Sequence, residues 1–444
     1  MVLALRRNAY SAFPPRCLDE PVVELRVAGR HIVLASSPDA IRHIMITHAD
    51  DYGRLALGRR VLGPIVGRGL LVSEGESWRR QRRLLQPAFH QRQLQSYAAV
   101  MVGTVERAAA GWQSGQVRNV HEDLMAVTLT IVAETLFGAG TDVAADAGHI
   151  GGIISELMEE FGRILGLAAR FQPPAWVPTA ANRRFRASSR KVDRVILGII
   201  EARRRRPDDA SDDASDDLLS LLIRARDEDG DAMTDAQVRD EAVTLFLAGH
   251  ETTALALTYS LYLLATHPER QARLADELDR ILGGRAPTLA DLEGLPFTEA
   301  VLLESMRLYP PAWVMARQAL TEVEIGGYRF RPGAEFVMSP WVMHRDPKNF
   351  DHPDDFQPER WEDDLARRLP KFAYFPFGGG ARVCIGNRFA MMEAKLVLAV
   401  ALQRFRFEAV PETKLTLFPS VTLRPRQGVR LRLAARSVAG RPPS

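Results

Sequence analysis

The segment with the most distinctive chemistry is FGGGARVCIG, residues 377–386, which places Cys384 in a glycine-rich turn before a long apolar stretch of helical pattern. The positive end of a helix dipole and the backbone N–H groups of such a turn favour a thiolate. The glycines have no Cβ, so the backbone can press against a large flat group, and Arg382 adds a cation close to the sulfur. This arrangement suits the proximal ligand of a haem iron, whereas Cys384 alone fits a buried structural cysteine equally well.

A second unusual segment is AGHETT, residues 248–253, in the middle of an apolar stretch. A carboxylate and adjacent hydroxyls are costly in an apolar helix, because the hydroxyls compete for backbone hydrogen bonds and can open the helix for water or a ligand. Glu251 and Thr252 could therefore deliver protons to a group that lies against this helix. The alternative is a kinked helix with a satisfied threonine and a surface glutamate.

Together these two segments resemble the cytochrome P450 family. The first fills every fixed position of the haem-binding loop Phe-x-x-Gly-x-Arg-x-Cys-x-Gly, and the second matches Ala-Gly-x-Glu/Asp-Thr. The resemblance implies that Cys384 is the axial ligand of the iron of haem b (iron protoporphyrin IX), and that Phe377 and Ala248 also contact the haem. It further implies that Glu251 and Thr252 are the catalytic pair that delivers protons to dioxygen.

Trp78 and Arg82 lie four residues apart in the segment WRRQRR. On a helix they share a face, so an indole N–H and a guanidinium could both reach one anion. This resembles the family's Trp-x-x-x-Arg helix, which implies binding of a haem propionate, with Arg317 and Arg382 as further candidates. The remaining arginines of the segment form either a basic docking surface for an acidic electron-transfer protein or a solvated charged face: Arg79, Arg80 and Arg83.

Glu304 and Arg307 are three residues apart on one predicted helix face and can form an ion pair, although this spacing usually marks a solvated face. The LYPP that follows and the later PERW, residues 358–361, extend the resemblance to the family's Glu-x-x-Arg helix. The resemblance implies that Arg360 completes a structural network that holds the region around Cys384.

Composition limits the classes of protein. The chain has 444 residues, of which 46% are hydrophobic and 25% charged, as in soluble globular proteins. A formal charge of +3 and the lack of an aromatic-studded basic module argue against nucleic-acid binding. Two cysteines, Cys17 and Cys384, fit a reducing cytoplasm. The apolar run before Arg6 is too short for a signal peptide or membrane anchor, so we expect a cytoplasmic protein. Together with the family resemblance, the lack of an anchor implies a member of the soluble bacterial type.

The predicted fold is mainly α with a minor β region. Residues 20–35 predict a hairpin with its turn at Ala28-Gly29, and residues 321–345 return to strand-like patterns. The best-defined helix begins at Thr234, which forms a capping box with Gln237, and ends near His267-Pro268.

The resemblance implies one triangular-prism-like domain over residues 1–444, with the haem between the long helix and the cysteine-loop helix. Its parts are a β-rich region at about 20–50 and 320–345 and a helical core at about 75–310 and 386–405.

The function that the resemblance implies is a haem-thiolate monooxygenase that hydroxylates an apolar small molecule, a terpenoid first and a fatty acid second. O2 is the co-substrate, and NAD(P)H supplies electrons indirectly through a ferredoxin or flavodoxin-type donor and its reductase. We expect a monomer. The alternatives are a peroxide-driven peroxygenase, whose members tend to lack the acid–alcohol pair, and a non-enzymatic haem-binding sensor.

We expect an apolar substrate pocket narrowed by Trp313 and Phe246. The stretch PPAWVMARQALTEVEIGGY resembles bacterial terpene-oxidising members, which favours a terpenoid. The arginines near the predicted entrance could instead anchor a carboxylate or be solvated loop charges: Arg54, Arg59, Arg60 and Arg68. The pocket is predicted from residues 52–72, Leu245, Phe246, Ala248, Ala312–Met315 and residues near Val421.

Overall fold

The computed structural model describes residues 13–27, 29–138, 177, 179–205, 217–411 and 413–436. The segment that contains Arg6, residue Ala28 of the predicted turn and two parts of the predicted helical core, 139–176 and 206–216, lie outside the described residues. Backbone contacts divide the chain into two compact units. Unit 1 is Met1–Leu55, Met101–Met125 and Thr252–Ser444, and unit 2 is Ala56–Val100 and Ala126–Glu251. A single domain stays a prediction.

The strands of the described chain lie in unit 1 and form small sheets. They are β1 (Val22–Val27), β2 (Arg30–Ala35), β3 (Tyr52–Gly53), β4 (Val117–Asn119), β5 (Met315–Ala319), β6 (Val323–Ile325), β7 (Tyr328–Phe330), β8 (Glu335–Met338), β9 (Phe405–Ala409), β10 (Leu417–Pro419), β11 (Leu423–Pro425) and β12 (Arg430–Ala435). The largest sheet has the order β1-β2-β8-β5-β3, a second has the order β4-β12-β9, and β6-β7 and β10-β11 are separate pairs.

Helices make up most of the described chain, which confirms the predicted class. The α-helices are α1 (Pro38–Arg42), α2 (Ala56–Val66), α3 (Gly75–Leu85), α4 (Gln91–Ala110), α5 (Val120–Phe137), α6 (Ala180–Arg204), α7 (Leu218–Arg224), α8 (Asp235–Thr266), α9 (Pro268–Leu282), α10 (Pro296–Leu308), α11 (Pro340–Met343), α12 (Leu365–Arg368) and α13 (Asn387–Arg404). A π-helical turn spans His43–Thr47, and 3₁₀ helices span Pro15–Leu18, Ala49–Asp51, Gln86–Phe89, Leu289–Gly294, Pro358–Trp361 and Gly380–Arg382.

The predicted hairpin is confirmed, since β1 and β2 pair antiparallel and Gly29 has a φ of +80° in the turn. Two parts of the predicted β-rich region are instead helical. Residues 38–47 form α1 and the π-helical turn, because the Ser37 hydroxyl caps the helix and proline occupies its first position. Residues 340–343 form α11 for the same reason, with Ser339 as the capping residue.

The long helix α8 begins and ends where the sequence predicts. The Thr234 N–H donates to the Gln237 side chain at 2.9 Å, and the Gln237 N–H donates to the Thr234 hydroxyl at 3.3 Å. This reciprocal capping box satisfies two backbone donors that the helix itself cannot pair. At about 1.5 Å per residue, the helix is roughly 48 Å long.

Within unit 2, α8 packs closely against α5. A Cβ on Gly249 would lie 2.9 Å from a Val132 methyl carbon, and the Thr128 hydroxyl donates to the His250 carbonyl oxygen at 2.9 Å. The Phe246 ring is fully buried and lies 6.3 Å from the Phe137 ring. These contacts fix the rotation of α8 about its axis, and therefore which of its faces stays accessible.

Candidate active site

Cys384 lies on an exposed turn of unit 1, between the 3₁₀ helix Gly380–Arg382 and the start of α13. Its N–H donates to the Phe377 carbonyl oxygen at 2.9 Å, which closes the loop. Gly378 and Gly380 have φ values of +73° and +65°, in the left-handed region that favours glycine. The loop therefore holds an accessible thiol three residues before the N-terminus of a helix.

Two adjacent glycines, Gly379 and Gly380, allow close packing on the protein side of the loop. A Cβ on Gly379 would lie 2.3 Å from the Phe372 ring, and one on Gly380 would lie 2.0 Å from the Met45 carbonyl oxygen. Met45 belongs to the π-helical turn, which the sequence pattern did not predict. The glycines are thus required by packing within unit 1, a reason that the sequence analysis missed.

Glu304 and Arg307 are fully buried in unit 1, where they form a bidentate ion pair with both N–O distances at 2.8 Å. The Arg360 guanidinium donates to Glu304 at 3.0 Å, and the Trp361 indole N–H donates at 2.8 Å. The predicted contact with Arg360 is confirmed. The usual meaning of this spacing, a solvated face, is wrong here because both side chains are fully buried, and the Gln357 N–H also donates to Glu304 at 2.9 Å.

A chain of hydrogen bonds connects this network to the cysteine loop. Arg307 donates to the His344 carbonyl oxygen at 2.9 Å, and His344 Nε2 accepts from the Phe375 N–H at 2.9 Å. The Phe375 carbonyl oxygen in turn accepts from the Gly378 N–H at 3.0 Å. Burial, together with the charge of Arg307, holds the pKa of His344 well below its usual range, so its ring is neutral and can accept. The network therefore supports the loop that carries Cys384.

Two of the predicted propionate-binding arginines lie in unit 1. Arg382 is partly buried in the 3₁₀ helix of the cysteine loop. Arg317 lies on β5, the strand that begins at Met315, and a Cβ on Gly378 would lie 3.4 Å from the Met315 sulfur. The fold of unit 1 thus brings β5 against the cysteine loop.

The other predicted pair lies in unit 2. The Arg82 guanidinium carbon is 6.0 Å from the centre of the Trp78 ring, which confirms that the two side chains share a face of α3. The neighbouring arginines are each paired with a carboxylate within unit 2, which favours a solvated charged face over a basic docking surface. The pairs are Arg79 with Glu76, Arg80 with Asp227 and Arg83 with Glu228.

One narrow stripe of α8 remains accessible. Between residues 241 and 261, Ala248 is exposed, Leu245, Gly249 and Thr252 are partly exposed, and the other residues are buried. Ala248, Gly249 and Thr252 lie three, four and seven residues after Leu245, which places all four on one face of the helix. Glu251 is only 5% exposed, so the alternative of a surface glutamate is wrong.

The two aromatic residues expected to narrow a pocket have other surroundings. Phe246 lies about 100° around the helix from Leu245, and its ring packs in the core of unit 2. Trp313 is 6% exposed, and its indole N–H donates to the Ser420 carbonyl oxygen at 2.9 Å. Trp313 thus supports the β10-β11 hairpin, at whose tip Val421 is 46% exposed.

The arginines near the predicted entrance differ in their surroundings. Arg59 forms an ion pair with Glu74, Arg54 is partly buried, Arg68 is exposed, and the Arg60 side chain lies outside the described residues. In the described parts of the chain no cluster of three His, Cys, Asp or Glu side chains could hold a metal ion, and no helix is long and apolar enough to cross a membrane.

Comparisons with known proteins agree with this geometry. The sequence model of the cytochrome P450 family matches residues 16–431. The chain is 37% identical over 408 residues to cyclooctatin synthase of Streptomyces melanosporofaciens, covering 90% of this chain and 86% of that protein. It is 33% identical over 421 residues to pentalenene oxygenase of Streptomyces avermitilis, covering 94% of this chain and 90% of that protein.

Among solved structures, the crystal structure of the cytochrome P450DA haem domain is similar, with a TM-score of 0.85 and 28% identity, covering 96% of this chain and 92% of that one. The chain therefore belongs to the cytochrome P450 family, of the bacterial type. It is a monooxygenase that uses haem iron, O2 and reducing equivalents from separate redox partners.

The cysteine loop fits a haem by its own geometry. Its one thiol is accessible, two of its glycines adopt left-handed φ values, and a helix begins three residues after the sulfur. This donor set is the one that a thiolate-ligated iron requires.

Proposed function

We propose that this monooxygenase hydroxylates a terpenoid hydrocarbon, with Cys384 as the axial ligand of haem b. The observation that carries the proposal is the accessible stripe of α8, which is apolar except for the Thr252 hydroxyl. Such a surface offers a hydrocarbon dispersion contacts and one polar group. The relatives named cyclooctatin synthase and pentalenene oxygenase, which modify terpenoids, support the same substrate class.

Different residues of the chain have different roles in the proposed reaction. The Thr252 hydroxyl lies on the accessible stripe and the Glu251 carboxyl is buried beside it, an order that suits passage of a proton from the interior to the ligand face. Phe377 and Ala248 contact the haem, which when bound supplies activation of dioxygen, favoured by a thiolate ligand. The residues that would hold the propionates are Trp78, Arg82, Arg317 and Arg382.

The electrons come from NAD(P)H through a ferredoxin or flavodoxin-type donor and its reductase. The acid–alcohol pair, with its hydroxyl on the accessible face, favours this route over one driven by peroxide. A fatty-acid substrate is second, because its carboxylate needs a cation, and Arg59, a candidate anchor, is already paired with Glu74.

Reconstituted turnover tests the proposal. The purified holoenzyme is mixed with a ferredoxin, its reductase and NADPH under ¹⁸O2, with either a cyclic terpene hydrocarbon or a saturated fatty acid of equal carbon number. We expect the terpene product to gain one ¹⁸O atom and the fatty acid to stay unmodified. Turnover of the fatty acid alone, or terpene turnover only when peroxide replaces the redox proteins, would contradict the proposal.

A further inference from the structure

A short loop of unit 2, residues 67–70, is bound to α8 by two adjacent carboxylates. The Arg68 N–H donates to the Asp240 carboxylate at 2.7 Å, and the Leu70 N–H donates to the Glu241 Oε2 atom at 3.0 Å. The Gln81 side chain of α3 also donates a hydrogen bond to the Arg68 carbonyl oxygen of this loop at 2.8 Å. The backbone of this loop is therefore held by side chains of two helices.

The glycines of the loop show how closely it lies on α8. A Cβ on Gly67 would lie 2.1 Å from the Asp240 carboxylate, and Gly67 has a φ of +57°. A Cβ on Gly69 would lie 2.2 Å from the Thr244 hydroxyl oxygen. Only glycine fits at these two positions while the loop stays in place.

Glu241 lies about one turn N-terminal to the accessible stripe, on the same face of α8. Leu245, Ala248 and Thr252 lie four, seven and eleven residues after Glu241, so all four residues follow one face of α8. Glu241 is fully buried, whereas the other three are accessible. The loop thus covers the first turn of a face that is open further along the helix.

We propose that Glu241 is a positioning residue whose carboxyl latches the loop 67–70 over the turn of α8 that precedes the stripe, and that ionisation of this carboxyl releases the loop and lengthens the surface available to a bulky substrate. The inference rests on the proposed function only in taking the stripe as the substrate-binding surface.

The electrostatics of the latch agree with its geometry. Burial raises the pKa of Glu241 to about 7, the hydrogen bond from Leu70 lowers it, and the charge of Asp240 raises it. Glu241 Oε1 has no hydrogen-bond partner among the described residues. The nearby cation Arg239 forms ion pairs with Asp240 and with Asp193 of α6, and the Arg68 side chain is exposed.

The sign of the pH dependence follows from proton linkage. When the loop opens, water reaches the Glu241 carboxyl and its pKa returns toward the ordinary value of 4.5. The closed loop therefore binds the proton more tightly than the open loop. The ratio of open to closed molecules should rise by about tenfold per pH unit between these two pKa values and become constant above about pH 7.

Hydrogen–deuterium exchange of the substrate-free holoenzyme measures this opening directly. The readout is the protection of the peptide that contains residues 67–70, corrected for intrinsic exchange, between about pH 5 and 8.5. In the unaltered enzyme, protection should fall as the pH rises and level off above about 7. In Glu241→Gln, it should stay at the low-pH level throughout, because the amide keeps an acceptor for Leu70 and does not ionise.

Two further variants make the test decisive. Asp240→Asn should keep the pH dependence and move its midpoint to lower pH, because a neighbouring negative charge is removed. Gly69→Ala should show little protection at every pH, because its Cβ displaces the loop from Thr244. An unchanged pH dependence in Glu241→Gln, or a Gly69→Ala variant as protected as the unaltered enzyme, would overturn the latch.

A second readout separates this inference from the proposed function. The rate at which a cyclic terpene hydrocarbon shifts the spin state of the ferric enzyme should rise with pH in the unaltered enzyme and stay slow in Glu241→Gln. Exchange that follows the prediction without any terpene-induced shift would leave the latch in place and contradict the proposed substrate. A terpene-induced shift with equal rates in both proteins would contradict the latch alone.

Discussion

At the scale of single residues, chemistry depends on which side chains remain accessible. Cys384 is exposed, whereas Cys17 is buried, and burial raises the pKa of the Cys17 thiol to about 11. The exposure of Cys384 argues against the alternative of a buried structural cysteine, and its role as the iron ligand stays a prediction. The sequence could not show that Glu251 is buried or that Phe246 faces the core, because the rotation of α8 is fixed by contacts with Val132 and Phe137 rather than by local pattern.

Replacing the proposed iron ligand tests the role of the thiol. Cys384→Ser should fold, as judged by circular dichroism, but lose the thiolate-type spectrum of the ferrous carbon-monoxide complex and all turnover, because an alcohol does not ionise at neutral pH. Cys17→Ala serves as the control and should keep both. A Cys384→Ser enzyme that retains turnover would refute the assignment.

Removing the hydroxyl of the accessible stripe tests proton delivery. Thr252→Ala should lower the product formed per O2 consumed several-fold and release peroxide, because the proton route loses its last donor. Thr258→Val is the matched control, since Thr258 is fully buried six residues further along the same helix and its hydroxyl donates to the Ala254 carbonyl oxygen. Equal coupling in both variants would place the proton route elsewhere.

At the scale of elements, the cysteine loop is held by partners that are distant in sequence. The spacing of Glu304 and Arg307 predicted their ion pair, and the family pattern predicted Arg360. Neither the spacing nor the family pattern could reveal that neutral His344 accepts a hydrogen bond from the Phe375 N–H. This contact joins residues that are 31 positions apart and has no local sequence signal. The role of Met45 behind Gly380 was hidden for the same reason.

Breaking the buried network should destabilise unit 1. Arg307→Ala leaves the Glu304 carboxylate buried with fewer donors, and we expect a loss of about 3–5 kcal/mol in the free energy of unfolding. Arg329→Ala, which removes an exposed pair with Glu324, should change it far less. Urea denaturation of both variants measures the difference, and equal small losses would show that the network is not structural.

The close approach behind the cysteine loop can be tested with a pair of glycine substitutions. Gly380→Ala places a Cβ 2.0 Å from the Met45 carbonyl oxygen, so we expect loss of haem content as well as stability. Gly75→Ala has a similar backbone cost, with a φ of +59°, but its Cβ meets nothing within 4 Å. It should keep its haem and lose only about 1 kcal/mol. Equal haem content in the two variants would contradict the packing account.

At the scale of the whole molecule, the order of motifs along the chain was sufficient to predict the mainly α fold and the family. Segments 38–47 and 340–343 were wrongly assigned to the β-rich region, since their serine–proline caps favour short helices over strands. The latch between residues 67–70 and Glu241 could not be predicted from the sequence, because about 170 residues separate the partners and glycine pairs are common in loops.

The proposed function requires that the accessible face of α8 receives a terpenoid hydrocarbon. Its most direct test is an optical titration of the ferric holoenzyme with cyclic terpene hydrocarbons and with fatty acids of equal carbon number. A low- to high-spin shift with the hydrocarbons and none with the acids is the predicted result. A shift with the acids alone would contradict the claim and assign an entrance arginine to a carboxylate.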